Sequence, residues 1–249
     1  MTFITGLLLI DATASALNNS GDKIPNARTE NTVDVKYIHT KQGDYPYVSA
    51  QAFRAWLRDS IISTNDLVPS PIYRDDKVVY TDGNPIAYWD DDLFGYMRAP
   101  GEGTRKVRET DQAYKKLTPL GVYKNKKGEE KEETLTRLSP FRVSTLVSIA
   151  PVYLTSDYGI MARQEEGSLL RPEADPAPYE HRFYRATLQG LISLNLGAVG
   201  TFYHRNRTGY KNLDQIRVEL AKAEGLTEIE GKAFQLCSEK RVERDKWLL

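Results

Sequence analysis

In the stretch "YPYVSAQAFRAWLRDS" (Tyr45 to Ser60), Arg54 and Arg58 stand four residues apart in a helical pattern that holds no acid before Asp59. A helix N-terminus already carries partial positive charge, from unpaired N–H groups and the summed peptide dipoles, so acids are the favoured side chains there. Cations in that place make chemical sense around a bound anion: a phosphate would receive backbone N–H groups and two guanidinium forks. Ser49 is the expected N-cap, and Tyr45 and Tyr47 precede it. Phe53, Trp56, Leu57 and Ile61 share one apolar stripe, which leaves Gln51, Arg54 and Arg58 off it. The plain alternative is an ordinary amphipathic helix whose arginines pair with acids elsewhere.

Two further basic stretches carry hydroxyls and stand at the edges of regular elements. "TFYHRNRTGYKN" (Thr201 to Asn212) sets Arg205, Arg207 and Lys211 among two tyrosines and Gly209. A glycine in a basic loop lets a sugar-phosphate chain approach, and tyrosines can stack on bases. "TRLSPFRVS" (Thr136 to Ser144) adds Arg137 and Arg142. Each alone also fits a solvated loop; three together point to an anionic polymer.

Enzyme motifs fare poorly. "APGEGTRKV" lacks the spacing of a phosphate-binding P-loop, and no nucleophile elbow occurs. "DDDLFG" (Asp90 to Gly95) could offer carboxylates to a divalent cation, but the pattern reads as a solvated acidic turn. His39, His181 and His204 are scattered without zinc spacing, and the single Cys237 excludes an internal disulfide.

The elements that would position these residues follow from patterning. The 249 residues, 40% hydrophobic, suffice for a sizeable core. Thirty-four bases and 34 acids cancel, which argues against a protein that simply coats nucleic acid but leaves room for a local basic groove. Phe3 to Ile10 is a near-continuous apolar run and reads as a strand covered on both faces, too short to span a bilayer. A cytoplasmic protein without membrane contact is expected. "DATASALNNSGDK" then reads as a loop, and "NTVDVKYIHT" as a second strand. "RVSTLVSIAPVYL" and "RFYRATLQGLISLNL" read as strands able to pair, the second alternating clearly. The excursion between them holds three prolines and two glycines, too irregular for a helix. "YKNKKGEEKEE" reads as a loop tip, Asn212 as the cap of a helix ended by Gly225, and Lys240 to Leu249 as a last helix.

In this order, "TGLLLIDATASALNN", "YPYVSAQAFRAWLRDSI", "DDDLFGYM", "LSPFRVSTLVSIAP" and "RNRTGYKN" resemble the DevR family of CRISPR-associated proteins. These are backbone subunits of the Cascade surveillance complex, in the repeat-associated mysterious protein superfamily, and the likeness is to type I-B. It spans nearly the whole chain, and the combination is specific where no single piece is.

The resemblance implies an α+β fold: an RRM-like (ferredoxin-like) palm over residues 1–249, a helical fingers insertion from Asp59 to Thr136, and a hairpin thumb from Thr155 to Arg182. It implies a head-to-tail filament of copies along crRNA, which is held for pairing with target DNA beside other Cascade subunits. It implies neither catalysis nor a metal or other cofactor. The RNA-lining positions it carries over are Asn18 and Asn19, Ser49, Gln51, Arg54 and Arg58, Arg137 and Arg142, and Arg205 and Arg207. Tyr158, Ile160 and Met161 would be thumb contacts. The chain lacks the aromatic signature of an RNA-recognition module, which fits reading of backbone shape with bases left free. Two rivals stay open: type III cousins cut RNA with a loop aspartate, for which Asp11 or Asp34 would be cast, and an RNA-free regulatory or structural role.

Overall fold

The structure is a computed structural model that describes residues 2–74, 78–99, 110–161, 177–206 and 210–248. It is an α+β protein whose residues fall into two compact units. One comprises Gly6–Ala55 and Val143–Ile192; the other comprises Met1–Thr5, Trp56–Arg142 and Ser193–Leu249.

The first unit is built on a mainly antiparallel sheet. Its strands are β1 (Phe3–Ser15), β2 (Tyr37–Thr40), β3 (Gly43–Val48), β4 (Leu146–Ser148), β5 (Thr155–Met161) and β6 (Ala177–Asn195). The order is β1-β6-β4-β3-β2, with Phe141–Val143, β5 and the two-residue strand Thr32–Val33 also paired to β6. The expected pairing of the two flanking segments is present, with Val147 opposite Gln189 and Ser148 opposite Leu188. Alternation along β6 buries Tyr184, Ala186 and Leu188 and exposes Arg185 and Gln189. Helix α1 (Ala50–Asn65) lays Ala52 and Phe53 against that core, which Val35, Val48 and Leu146 complete.

β1 departs from expectation twice. It runs five residues beyond Ile10, through a stretch whose small polar composition had suggested a loop, because Ala12 enters the core. It is also not covered on both faces: Phe3, Leu7 and Leu9 are 52%, 54% and 60% exposed. β1 ends the strand order, and an antiparallel sheet can leave one face to solvent.

The second unit overturns the acidic-turn reading. "DDDLFG" forms helix α2 (Trp89–Phe94), and Asp90, Asp91 and Asp92 are 5%, 1% and 0% exposed. Each carboxylate has donors that replace water. Asp90 accepts the Ser70 N–H at 3.0 Å, and Asp91 accepts the Ser70 and Thr81 hydroxyls and the Asn84 N–H. Asp92 accepts the Gly200 N–H at 2.9 Å and pairs with both Arg137 and Arg244. Gly95 closes α2 at φ +70°, where a Cβ would lie 2.5 Å from the Arg137 carbonyl oxygen. Asp82 with Arg98, and Asp214 with Arg217, form two more buried pairs.

Helix α3 (Gln215–Ala223) is capped by Asp214, not by the expected Asn212; the Asp214 carboxylate accepts the Arg217 N–H. Gly225 follows it at φ +70°, as expected of a helix end. Strands β7 (Thr201–Tyr203), β8 (Thr227–Ile229) and β9 (Ala233–Gln235) form a separate sheet, and helix α4 (Ser238–Lys246) follows. Of the helical insertion expected from Asp59 to Thr136, the described residues after α1 form strand pairs besides α2: Ile72–Arg74 with Val79–Thr81, Tyr96–Arg98 with Leu135–Arg137, and Val122–Lys124 with Glu130–Glu132. The last of these makes a hairpin of the expected loop tip. Among the described residues no helix is long and apolar enough to cross a membrane.

Two outcomes follow from the buried acids. Asp92→Ala leaves Arg137 and Arg244 without their carboxylate, and urea unfolding should show a loss of about 3–5 kcal/mol. Burial pushes the Asp91 carboxyl up to about 6. A folded pKa above the unfolded value of roughly 4 means the folded state holds the extra proton between those values, so stability falls as pH rises through that window. Unfolding of the wild type and of Asp91→Asn, compared from pH 4 to pH 7, should show the wild type losing stability relative to the variant.

Candidate nucleic-acid interface

The start of α1 is built by three residues. Ser49 Oγ accepts the Ala52 N–H at 3.2 Å, which makes Ser49 the expected cap, and its carbonyl accepts the Phe53 N–H. The Ser49 N–H in turn donates to Asn18 Oδ1 at 3.0 Å, while the Asn18 carbonyl accepts the Lys36 N–H at 2.7 Å. Asn18 thus pins the helix start to the loop after β1. Asn19 beside it is exposed and bridges to Val35.

The first turn of α1 contains no acid. Gln51 is exposed, and Arg54 and Arg58 are half-buried. Burial lowers the pKa of Arg54, yet a guanidinium stays protonated at neutral pH. Arg58 Nε lies 3.7 Å from Asp59 Oδ1, too far for a hydrogen bond, so the pair is loose. A cavity of about 480 Å³ in the same unit as Arg54 is lined by Lys23, Lys36, Tyr37 and Tyr47, with Asp22 and Asp34 also in its wall. The two lysines and two tyrosines there had not been singled out as a group, because Lys23 and Tyr47 stand 24 positions apart in the chain.

Asp34 is not a free carboxylate. It is 3% exposed, accepts the Val35 N–H at 2.8 Å and lies 3.2 Å from Arg182. Asp11, the other candidate aspartate, is exposed.

The hairpin arms pair antiparallel from Thr155 opposite Phe183 to Met161 opposite Ala177. Gly159 faces Tyr179, whose ring lies where a Cβ would come within 2.4 Å, so only glycine admits that cover. Tyr158, Ile160 and Met161 are 43%, 58% and 59% exposed. The proline-rich residues between the arms lie outside the described residues.

In the other unit, Arg137 is a buried residue and not the surface cation its sequence neighbours suggest. It is 5% exposed, and its five N–H donors reach Asp92, Thr201, Asn212 and Ala198. Arg142 and Arg205 are exposed; Arg207 lies outside the described residues. Arg142 borders a cavity with Tyr203 and Tyr210. His204, next to Arg205, has its pKa lowered, first by burial.

No family model matches the chain, and no curated protein does. Solved structures similar to it include a chain of a "CRISPR RNA-guided surveillance complex, pre-nicking" at 10% identity and TM-score 0.40, covering 80% of this chain. A chain of a "CRISPR RNA-guided surveillance complex" aligns over 94% of this one at 12% identity and TM-score 0.41. The chain spans 66% of the length of each. Likenesses this loose carry no argument.

The clamp at the helix start is testable without RNA. Ser49→Ala removes the cap acceptor and Asn18→Ala orphans the Ser49 N–H, each costing about 1 kcal/mol in chemical unfolding. The double variant should lose less than the sum, because both changes loosen one turn.

Proposed function

We propose that the chain binds guide RNA by its sugar-phosphate backbone, as the backbone subunit of a type I Cascade-like complex. The observation that carries this is the start of α1. A capped N-terminus without an acid in its first turn is clamped by Asn18, and its helix bears Arg54 and Arg58. Such a site takes phosphate through N–H groups and guanidinium forks and reads no base edge. The bases are left to pair with target DNA, so sequence choice belongs to the guide.

The remaining features fit the same reading. The exposed Tyr158, Ile160 and Met161 suit a thumb that meets a base or the next copy. Copies stack head-to-tail along the crRNA with other Cascade subunits, on an RRM-like palm of the type I-B kind. The subunit works by binding and cuts nothing itself. Asp34, one of the two aspartates open to a cleavage role, is buried against Arg182.

Filter binding of guide-length RNA across a salt series, with magnesium present, tests this directly. Wild type should bind with a steep salt dependence and leave the RNA intact on a denaturing gel. Arg54→Ala/Arg58→Ala should weaken binding alike for all sequences and lower the log–log slope by about two at most. An unchanged slope and affinity removes the helix start from the interface. RNA cleavage lost on Asp11→Ala overturns the non-catalytic reading.

A further inference from the structure

Strand β1 leaves one edge of its sheet open. It is 13 residues long and ladders to β6 alone among the described strands. The Thr2 carbonyl accepts the Leu196 N–H at 3.1 Å, so alternation turns the backbone groups of Ile4, Gly6, Leu8 and Ile10 towards β6. Those of Phe3, Thr5, Leu7, Leu9, Asp11 and Thr13 therefore point outward. Among the described residues no loop backbone and no isolated bridge meets them. The side chains of the same six residues are exposed.

A row of unpaired N–H and C=O groups is a template for another strand, and native proteins blunt such edges with lysine, proline, a bulge or a short length. Phe3–Ser15 contains no Lys, Arg or Pro, and none of its residues has a positive φ. Its one charge is Asp11, and Leu7 and Leu9 stand exposed before it. What pairs there must itself be a long extended strand. The other end of the strand order, β2, has only four residues and would leave most of β1 uncovered. A second β1 matches the first in length, alternation and charge.

We infer that β1 is an interface between two copies of this chain, paired antiparallel about a two-fold axis at Leu8. In that register the outward backbone groups of the two strands meet each other. Leu7 opposes Leu9 of the partner subunit, Thr5 opposes Asp11 of the partner subunit, and Phe3 opposes Thr13 of the partner subunit. A slip of two residues either way sets Asp11 against Phe3 or Leu7 instead. The aliphatic match and the hydroxyl offered to each carboxylate therefore choose one register. Two-fold symmetry makes every contact twice and closes the assembly at a dimer. None of these contacts involves RNA, so the inference stands apart from the function proposed above.

Sedimentation velocity of the full chain, free of nucleic acid and across a concentration series, tests this. Wild type should form a dimer. Leu7→Lys/Leu9→Lys should be monomeric, because each lysine then faces another across the edge. Thr5→Lys sets a cation against Asp11 of the partner subunit, and Thr5→Asp sets a second acid there. The dimer dissociation constant should fall in the first and rise in the second by roughly twofold to thirtyfold, the worth of two cross-strand charge pairs. Adding Asp11→Lys to Thr5→Asp should restore the dimer. All four positions are exposed. Circular dichroism melts identify a variant that fails to fold, and the Thr5 variants decide where the double lysine variant does. Wild type that stays monomeric throughout the series, a dimer indifferent to the lysines, or Thr5 variants that act alike overturns the inference. Growth beyond a dimer that Ile38→Lys in β2 abolishes overturns it in favour of stacking through the opposite edge.

Discussion

Asp92 lies at zero exposure with a positive guanidinium at each carboxylate oxygen, and the unit containing α2 is arranged around that fact. Arg137 comes from a strand 45 residues later and Arg244 from α4, 152 residues later; the Gly200 N–H just before β7 supplies the remaining donor. A carboxylate buried this deeply is tolerable only when paired and fully hydrogen-bonded. Removing any one contributor strands the others, so the three segments have one satisfactory arrangement. Arg137 extends the constraint by reaching the carbonyls of Ala198 and Thr201, which fixes the chain leading into β7. The cavity bordered by Arg142, Ala198 and Thr201 is therefore walled by backbone that a buried ion network holds in place.

The same network changes the meaning of the neutral formal charge. Among the described residues, seven acids are buried (Asp34, Asp82, Asp90, Asp91, Asp92, Glu180 and Asp214) against four arginines (Arg98, Arg137, Arg217 and Arg244). Burial removes more negative than positive charge from the surface. Among the described residues the exposed side chains are thus more basic than the neutral composition suggests, in keeping with the local basic groove that composition left room for.

The parts of the fold legible in the sequence were those set by local rules. A serine before an acid-free amphipathic run announced α1, and strict alternation announced β6 and its buried face. Gly225 marked the end of α3 because a left-handed residue is needed there. What failed depended on partners far away in the chain. Three consecutive aspartates look solvated until Arg137, Arg244 and Ser70 are known to surround them. Arg137 likewise looks like a surface cation beside hydroxyls, since its sequence neighbours resemble those of the exposed Arg142. The uncovered face of β1 was hidden by its continuous apolar run, which states a capacity for burial and not its occurrence.

In the other unit, the loop between β1 and β2 links the helix start to the hairpin. Asn18 at one end of that loop holds Ser49, and further along Asp34 pairs with Arg182 on the hairpin's second arm. Between them the Arg28 N–H donates to Glu180, the Thr29 hydroxyl donates to the Pro178 carbonyl, and Thr32–Val33 pairs in parallel with Glu180 and His181. A two-stranded hairpin alone is marginal in water, and these contacts give its base a third strand and a charge-assisted tie. Apolar side chains further out can then stay exposed without the arms needing to fold back to cover them. Because one loop registers both the capped helix start and the hairpin base, these two features stand at a fixed offset within this unit. On the proposed reading, with α1 as the phosphate grip and the hairpin as the apolar wedge, that fixed offset is what would let each copy repeat the same step along a polymer.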